Sequence, residues 1–111
     1  MLSKLDEALL SESAIDLVYE EELFKLLARE IAAFPIKQRR ALLVDLANRM
    51  TFETHPTPLQ RAFLQSGIRL EEYQQPLPDD LKERSKYSAL LYHAYKRVAQ
   101  LARIREYTSA A

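Results

Sequence analysis

Apolar residues recur along most of this chain at helical spacing, and proline or glycine stands close to the places where the pattern breaks. From Ser13 onward, Ile15, Leu17, Tyr19, Leu23, Phe24, Leu26, Leu27 and Ile31 carry the pattern to Phe34. At ~100° per residue they cover more than half of a helical wheel, whereas a surface helix needs a stripe of only about 100°. Such a helix sits at the centre of its domain, breaks near Glu20-Glu21-Glu22, or shares its apolar surface with a second subunit. The central position is the expectation for this helix, placed at 14–33. Pro35 closes it, because the residue before a proline is pushed out of the α region. Ahead of it, Ser3 caps a short helix in which Leu5, Leu9 and Leu10 share one side.

A second helix follows at 36–50, with Pro35 at its first helical position, where the missing N–H costs nothing. Ile36, Leu42, Leu43, Leu46, Ala47 and Met50 form its apolar face, and Lys37, Gln38, Val44, Asp45 and Asn48 point outward. Arg39 lies over the apolar side, where its stem covers leucines while the guanidinium reaches water. Thr51 to Pro58 reads as a stiff connector. Thr57 then caps a short helix at 58–66 that Gly67 ends by supplying a left-handed residue. Ile68 to Asp80 reads as one helical turn and an extended loop. The last helix, 79–106, opens at Asp79 or Asp80 and buries Tyr87, Leu91, Ala94, Tyr95, Val98, Leu101 and Ala102. The prediction is an all-α fold, a compact bundle of four to five helices.

Composition narrows the picture. The 111 residues suit one domain spanning 1–111, and a single glycine leaves few sites for tight β-turns. With no cysteine, disulfides and thiolate metal sites are excluded. No apolar run reaches the ~18–20 residues that span a bilayer, and the first residues lack the apolar core of a signal peptide. A cytoplasmic protein without membrane attachment is expected.

Charge is split along the chain although it sums to zero. Residues 1–34 carry eight acids against three bases, and the remainder carries thirteen bases against eight acids. Either the basic part meets nucleic acid or an acidic partner, or the two parts pack together and neutralise each other. The basic residues concentrate on the last helix. Lys82, Lys86, His93, Lys96, Arg97, Gln100 and Arg103 fall within about 120° on the wheel, with no acid inside that arc. Lys82, Lys86, Lys96, Arg97 and Arg103 are therefore the candidate site for nucleic acid or an acidic partner. A solvated face is the bland alternative. Enzymatic readings find no footing. His55 and His93 lie in different elements, and there is no glycine-rich phosphate loop or nucleophile motif. Glu20-Glu21-Glu22 and Glu71-Glu72 are runs whose neighbours point apart, a poor arrangement for a paired acid and base. No enzyme activity, metal, cofactor or small-molecule ligand is inferred. The six tyrosines read as packing residues with surface hydroxyls.

The segment Phe34-Pro35-Ile36-Lys37-Gln38-Arg39-Arg40-Ala41-Leu42-Leu43 resembles the start of the C-terminal promoter-reading domain of bacterial RNA polymerase sigma factors. In that family a Leu-Pro-x-[Lys/Arg]-Gln-Arg segment begins the helix that leads into a helix-turn-helix. The resemblance covers little more than one helix. Met50-Thr51-Phe52-Glu53 stands where the family has a Ser-Tyr-x-Glu-Ile-Ala-type start of the next helix, but His55-Pro56-Thr57-Pro58 replaces the turn that should follow. Proline inside a helix costs ~3 kcal/mol. Ala62, Gly67 and Ile68 are similar to the alanine and glycine-hydrophobe of a helix-turn-helix, at a spacing one residue too long. The segment at the recognition position, Ile68 to Tyr73, contains Glu71-Glu72 and is cut off by Pro76. The family's base-reading residues find no positions here.

Two functions follow from these features. One is a sigma-like, transcription-associated domain that binds nucleic acid or RNA polymerase through the basic last helix, with promoter reading lost. The other is a non-catalytic helical module in which the broad apolar helix 14–33 drives self-association or captures a helical partner.

Overall fold

The computed structural model describes residues 20–52 and 55–101, and among these residues it is all-α. Its elements are α1 (residues 20–32), α2 (Ile36–Asn48), α3 (Pro58–Gln65), a 3-10 turn (Leu70–Tyr73) and α4 (Leu81–Gln100). They form a small helical bundle. The short first helix expected near Ser3, and the expected start of helix 14–33, lie outside the described residues.

The breaks are chemical. At the end of α1, the Ala33 and Phe34 amides donate to the carbonyls of Glu30 and Ile31, which tightens the last turn. Pro35 is extended and serves as the N-cap of α2, one position earlier than expected, with its carbonyl accepting from the Arg39 amide at 2.8 Å. Thr57 and Gln60 form a reciprocal capping box at α3, with Pro58 in its first turn. Gly67, at φ +81°, makes the left-handed turn after α3. The Ile68 amide reaches the Phe63 carbonyl at 2.9 Å and the Gly67 amide reaches Leu64 at 3.0 Å. That pair of bonds is a Schellman motif, and the Phe63 and Ile68 side chains join the same core. Asp80 caps α4 by accepting from the Lys82 amide at 3.3 Å. Leu101 is extended at φ −64°, ψ 129°, so α4 stops six residues short of the expected 106. Residues beyond 101 lie outside the described part.

The core joins Ala28 and Ile31 of α1 to Leu42 and Leu43 of α2, Ala62 and Phe63 of α3, Leu70 of the 3-10 turn and Ala94 of α4. Among the described residues the most buried helix is α2, while residues 14–19 of the helix expected at 14–33 lie outside them. In α2, Ala41, Leu42, Leu43, Val44 and Ala47 are buried, and these positions point to several sides of the wheel. In the described part of α1 only Ala28 and Ile31 are buried, while Leu23 and Leu26 are half-buried outside the core cluster. Val44, expected to face outward, is covered. Ile36, expected inside, is 69% exposed. The reason is that α2 is packed on two sides, whereas a single-face reading of its pattern allowed one.

The polar residues around α2 serve the same packing. Arg39 donates from Nη1 to the Ala32 carbonyl at 2.9 Å, so it closes the open end of α1 as well as covering leucines. Gln74 does the same for α2, reaching the carbonyls of Ala47 and Met50 at 3.0 and 3.1 Å. Asn48 and the Gln75 backbone bond reciprocally, at 2.9 and 3.2 Å. Gln60 is buried, and both ends of its carboxamide are used. Oε1 accepts from the Thr57 amide at 3.0 Å, and Nε2 donates to the Thr51 carbonyl at 3.1 Å. A buried amide with both ends satisfied costs little, and here it pins the connector to α3.

Truncations should rank by burial. Phe63→Ala and Leu43→Ala, both fully buried, should each lower unfolding free energy by ~2–5 kcal/mol. Leu27→Ala, half-buried against the core, should cost less, and Ile36→Ala should change stability by no more than ~0.5 kcal/mol. Urea denaturation followed by circular dichroism gives the ranking. An Ile36 variant as damaging as the Leu43 variant would overturn this view of α2.

Candidate functional site

The surface built by α2 and α4 begins with how the two helices meet. Ala94 of α4 is buried in the core with Leu42 and Leu43 of α2, and Ala41 is buried in the groove that Tyr87 and Leu90 of α4 also line. Ala94 is the only buried residue of α4; Tyr87, Leu91 and Val98 are half-buried beside it. An apolar seam this narrow is supplemented by polar bonds. Arg97 Nε donates to Gln38 Oε1 at 2.7 Å, and the Tyr87 hydroxyl donates to the Ala41 carbonyl at 3.3 Å. The Tyr95 hydroxyl donates to Asp45 Oδ2, which also accepts from Arg49 Nε at 3.0 Å. Tyrosines expected to leave their hydroxyls at the surface therefore tie the helices together. Tyr95 itself is 40% exposed instead of buried in the stripe.

These bonds set the electrostatics of the seam. Partial burial, together with the hydrogen bond to Asp45 and its negative charge, pushes the Tyr95 hydroxyl up to about 12. Burial also raises Tyr87, with Asp45 adding to it. The hydrogen bond and charge of Asp45 hold Arg49 above its ordinary value.

The five residues chosen from sequence end up in different circumstances. Lys82 and Lys96 are exposed and make no ion pair among the described residues. Lys86 is exposed and lies 3.5 Å from Glu83, an acid just outside the arc of the stripe. Arg97 is exposed but turned toward α2 through Gln38. Arg103 lies outside the described residues. The stripe is thus divided between an outer edge, held by Lys82 and Lys96, and an inner edge that runs along α2.

At that inner edge the fold adds two cations that the stripe did not include. Lys37 and Arg40, from the start of α2, line a groove of about 390 Å³ together with Lys86 and Glu83 of α4. Its floor is apolar, with Ala41, Val44, Tyr87, Leu90 and Pro78, and Gln75 closes one wall. Neither Lys37 nor Arg40 has an acidic partner among the described residues. The N-terminus of α2 has no side-chain cap and no acid in its first turn. Cations at the positive end of a helix are disfavoured by ~0.3–1 kcal/mol, so this end breaks a local rule that the rest of the chain obeys. The sequence signal was present. Lys37 and Arg40 share one side of a first turn without acids, but only the docking of α4 sets Lys86 beside them.

Among the described residues, little of the charge split is met by pairing. Among the described residues one ion pair, Arg61 to Glu21 at 3.2 Å, joins the acidic part of the chain to the basic part. No group of histidines and acids that could hold a metal occurs among the described residues. No described helix is long and apolar enough to cross a membrane. Comparison with family models, curated proteins and solved structures finds no match for the chain.

The raised Tyr95 hydroxyl gives a pH dependence of known sign. Because the folded state holds the neutral form, its contribution to stability is complete below the ordinary value of 10.0 and is lost as pH rises toward about 12. Tyr95→Phe should remove that alkaline loss, while lowering stability near neutrality by ~1 kcal/mol through the missing bond. Denaturant titrations of both proteins at neutral and alkaline pH test this. Parallel pH curves for the two would remove Tyr95 from the account.

Proposed function

We propose that this chain is a sigma-like helical domain that holds nucleic acid by its phosphate backbone, through a basic surface shared by α2 and α4, without reading bases. The observation that carries the proposal is the meeting of two separate sequence signals in one groove. Lys37 and Arg40 belong to the segment that resembles the sigma-factor helix, and Lys86 belongs to the basic stripe of the last helix. Exposed cations are what phosphate contacts require. Lys37 and Arg40 have no acidic partner among the described residues, and Lys86 is held only by its exposed pair with Glu83. Lys82 and Lys96 extend the positive charge along α4.

Loss of base reading is supported by the element at the recognition position. In place of a helix there is a 3-10 turn of four residues, Leu70–Tyr73, with Leu70 buried in the core and Glu71 and Glu72 exposed. Side chains anchored inward cannot reach base edges, and outward acids repel phosphates. A transcription-associated role, with the polymerase or its nucleic acid as partner, is the biological setting that the sigma-like segment suggests.

A self-associating or partner-capturing helical module is the second reading, and a specific feature favours it. Leu81 is 77% and Tyr92 64% exposed on α4. Exposed residues of this size are common singly, so the basic groove weighs more.

Molar mass in solution, with and without duplex DNA at low salt, separates the two readings. The nucleic-acid reading expects a complex whose affinity falls with salt at a log–log slope of about −0.9 per phosphate contacted. Combining Lys37→Ala, Arg40→Ala and Lys86→Ala should flatten that slope and weaken different sequences alike. A stable oligomer with no retention of DNA would sink the proposal in favour of the interaction module.

A further inference from the structure

The groove between α2 and α4 has a floor that phosphate binding alone does not call for. Tyr87, Leu90, Ala41, Val44 and Pro78 lie beneath the cations Lys37, Arg40 and Lys86. Its volume, about 390 Å³, lies at the small end of the range for ligand-sized clefts. The Tyr87 ring is held in place from its far end by the hydroxyl bond to the Ala41 carbonyl at 3.3 Å. A fixed aromatic ring below a rim of positive charge is the arrangement that accepts an unstacked base while its phosphates meet the cations. A duplex keeps its bases stacked inside and offers such a floor nothing. Resting on the nucleic-acid reading given above, we propose that the preferred ligand of this groove is a single strand, with one base set against Tyr87 and its phosphates between Lys37, Arg40 and Lys86.

Glu83 sets the terms of this binding. It pairs with Lys86 at 3.5 Å on the groove rim, both side chains being largely exposed. An incoming phosphate has to take Lys86 away from Glu83 and bear the repulsion of its carboxylate. Exposed pairs of this kind are weak, so the exchange is feasible. It also means that the groove's affinity is held down by one residue, whose neutralisation should raise it.

The chain has no tryptophan, so its intrinsic emission comes from six tyrosines, of which Tyr87 lines the groove, and the part of the signal lost in Tyr87→Phe is the part that reports on it. The experiment titrates the full chain at low salt with an oligothymidylate, with a duplex of equal phosphate count, and with polyglutamate. Fluorescence anisotropy of the labelled ligand and intrinsic tyrosine emission are both read. The single strand should bind more tightly than the duplex and quench tyrosine emission. Tyr87→Phe should keep affinity within about twofold, whereas Tyr87→Leu should weaken the single strand on the order of tenfold and leave the duplex unchanged. Glu83→Gln should tighten both nucleic acids, and it needs no change in the core. Duplex binding as tight as the single strand, without quenching, overturns the single-strand inference and leaves the phosphate reading intact. An unaltered affinity in Glu83→Gln overturns the placement in this groove even if Tyr87→Leu fails to fold. Polyglutamate binding as tightly as the oligonucleotide would make the groove a site for acidic protein segments. Retention of none of the three would overturn both this inference and the proposed function.

Discussion

The packing of the described residues is arranged around α2, which is buried on two sides. Leu42, Leu43 and Ala47 need a partner on one side, and Ala41 and Val44 need one on another. A helix of 13 residues cannot bury that much apolar surface against a single neighbour. The remaining elements divide the work. Ile31 of α1, Phe63 of α3 and Leu70 of the 3-10 turn share the core with Leu42 and Leu43, and α4 lies over Ala41 and Val44. The segment after the 3-10 turn closes the lower end of α2 through Gln74 and Gln75.

The two sides of α2 are held differently, and that difference bears on function. The core side is apolar and fully packed around Phe63. α4 itself buries one residue, Ala94, in that core, and along the rest of its contact with α2 it relies on three polar links through Gln38, the Ala41 carbonyl and Asp45. Polar links between exposed or half-buried groups add about 1 kcal/mol each at most, because water competes for them. The side that faces the groove is therefore the less tightly held one. Functional surfaces drawn from the less stable part of a fold are a general pattern, and it agrees with the placement of Lys37, Arg40 and Lys86 around the seam.

Local chemistry explains why punctuation was so easy to read. Pro35, Thr57, Pro58, Gly67 and Asp80 each determine the backbone through their own constraints, whether a locked φ, a side-chain oxygen or a missing Cβ. None of these needs a distant partner, so the ends of α2 and α3 and the start of α4 came within about two residues of expectation. Where no such residue stood, the boundary moved. No proline or glycine follows Gln100, and α4 ends there with Leu101 extended, short of the expected 106.

The sequence by itself determined the all-α class, the order of helices, the apolar stripe of α4 around Ala94 and the presence of a basic edge on that helix. Those follow from period, propensity and caps, which act over a few residues. Which of the described helices is most buried, and which cations share a surface, was decided only by tertiary packing. The wheel of α1 is as apolar as that of α2, and nothing local says that α4 will lie on Gln38, Ala41 and Asp45. Once it does, Val44 is buried, Arg97 turns inward, and Lys86 comes to stand with Lys37 and Arg40, nearly fifty positions away in the chain. Side-chain periodicity records that a face is apolar or charged. It does not record what that face will meet, because the partner is chosen by the burial of every other face at once.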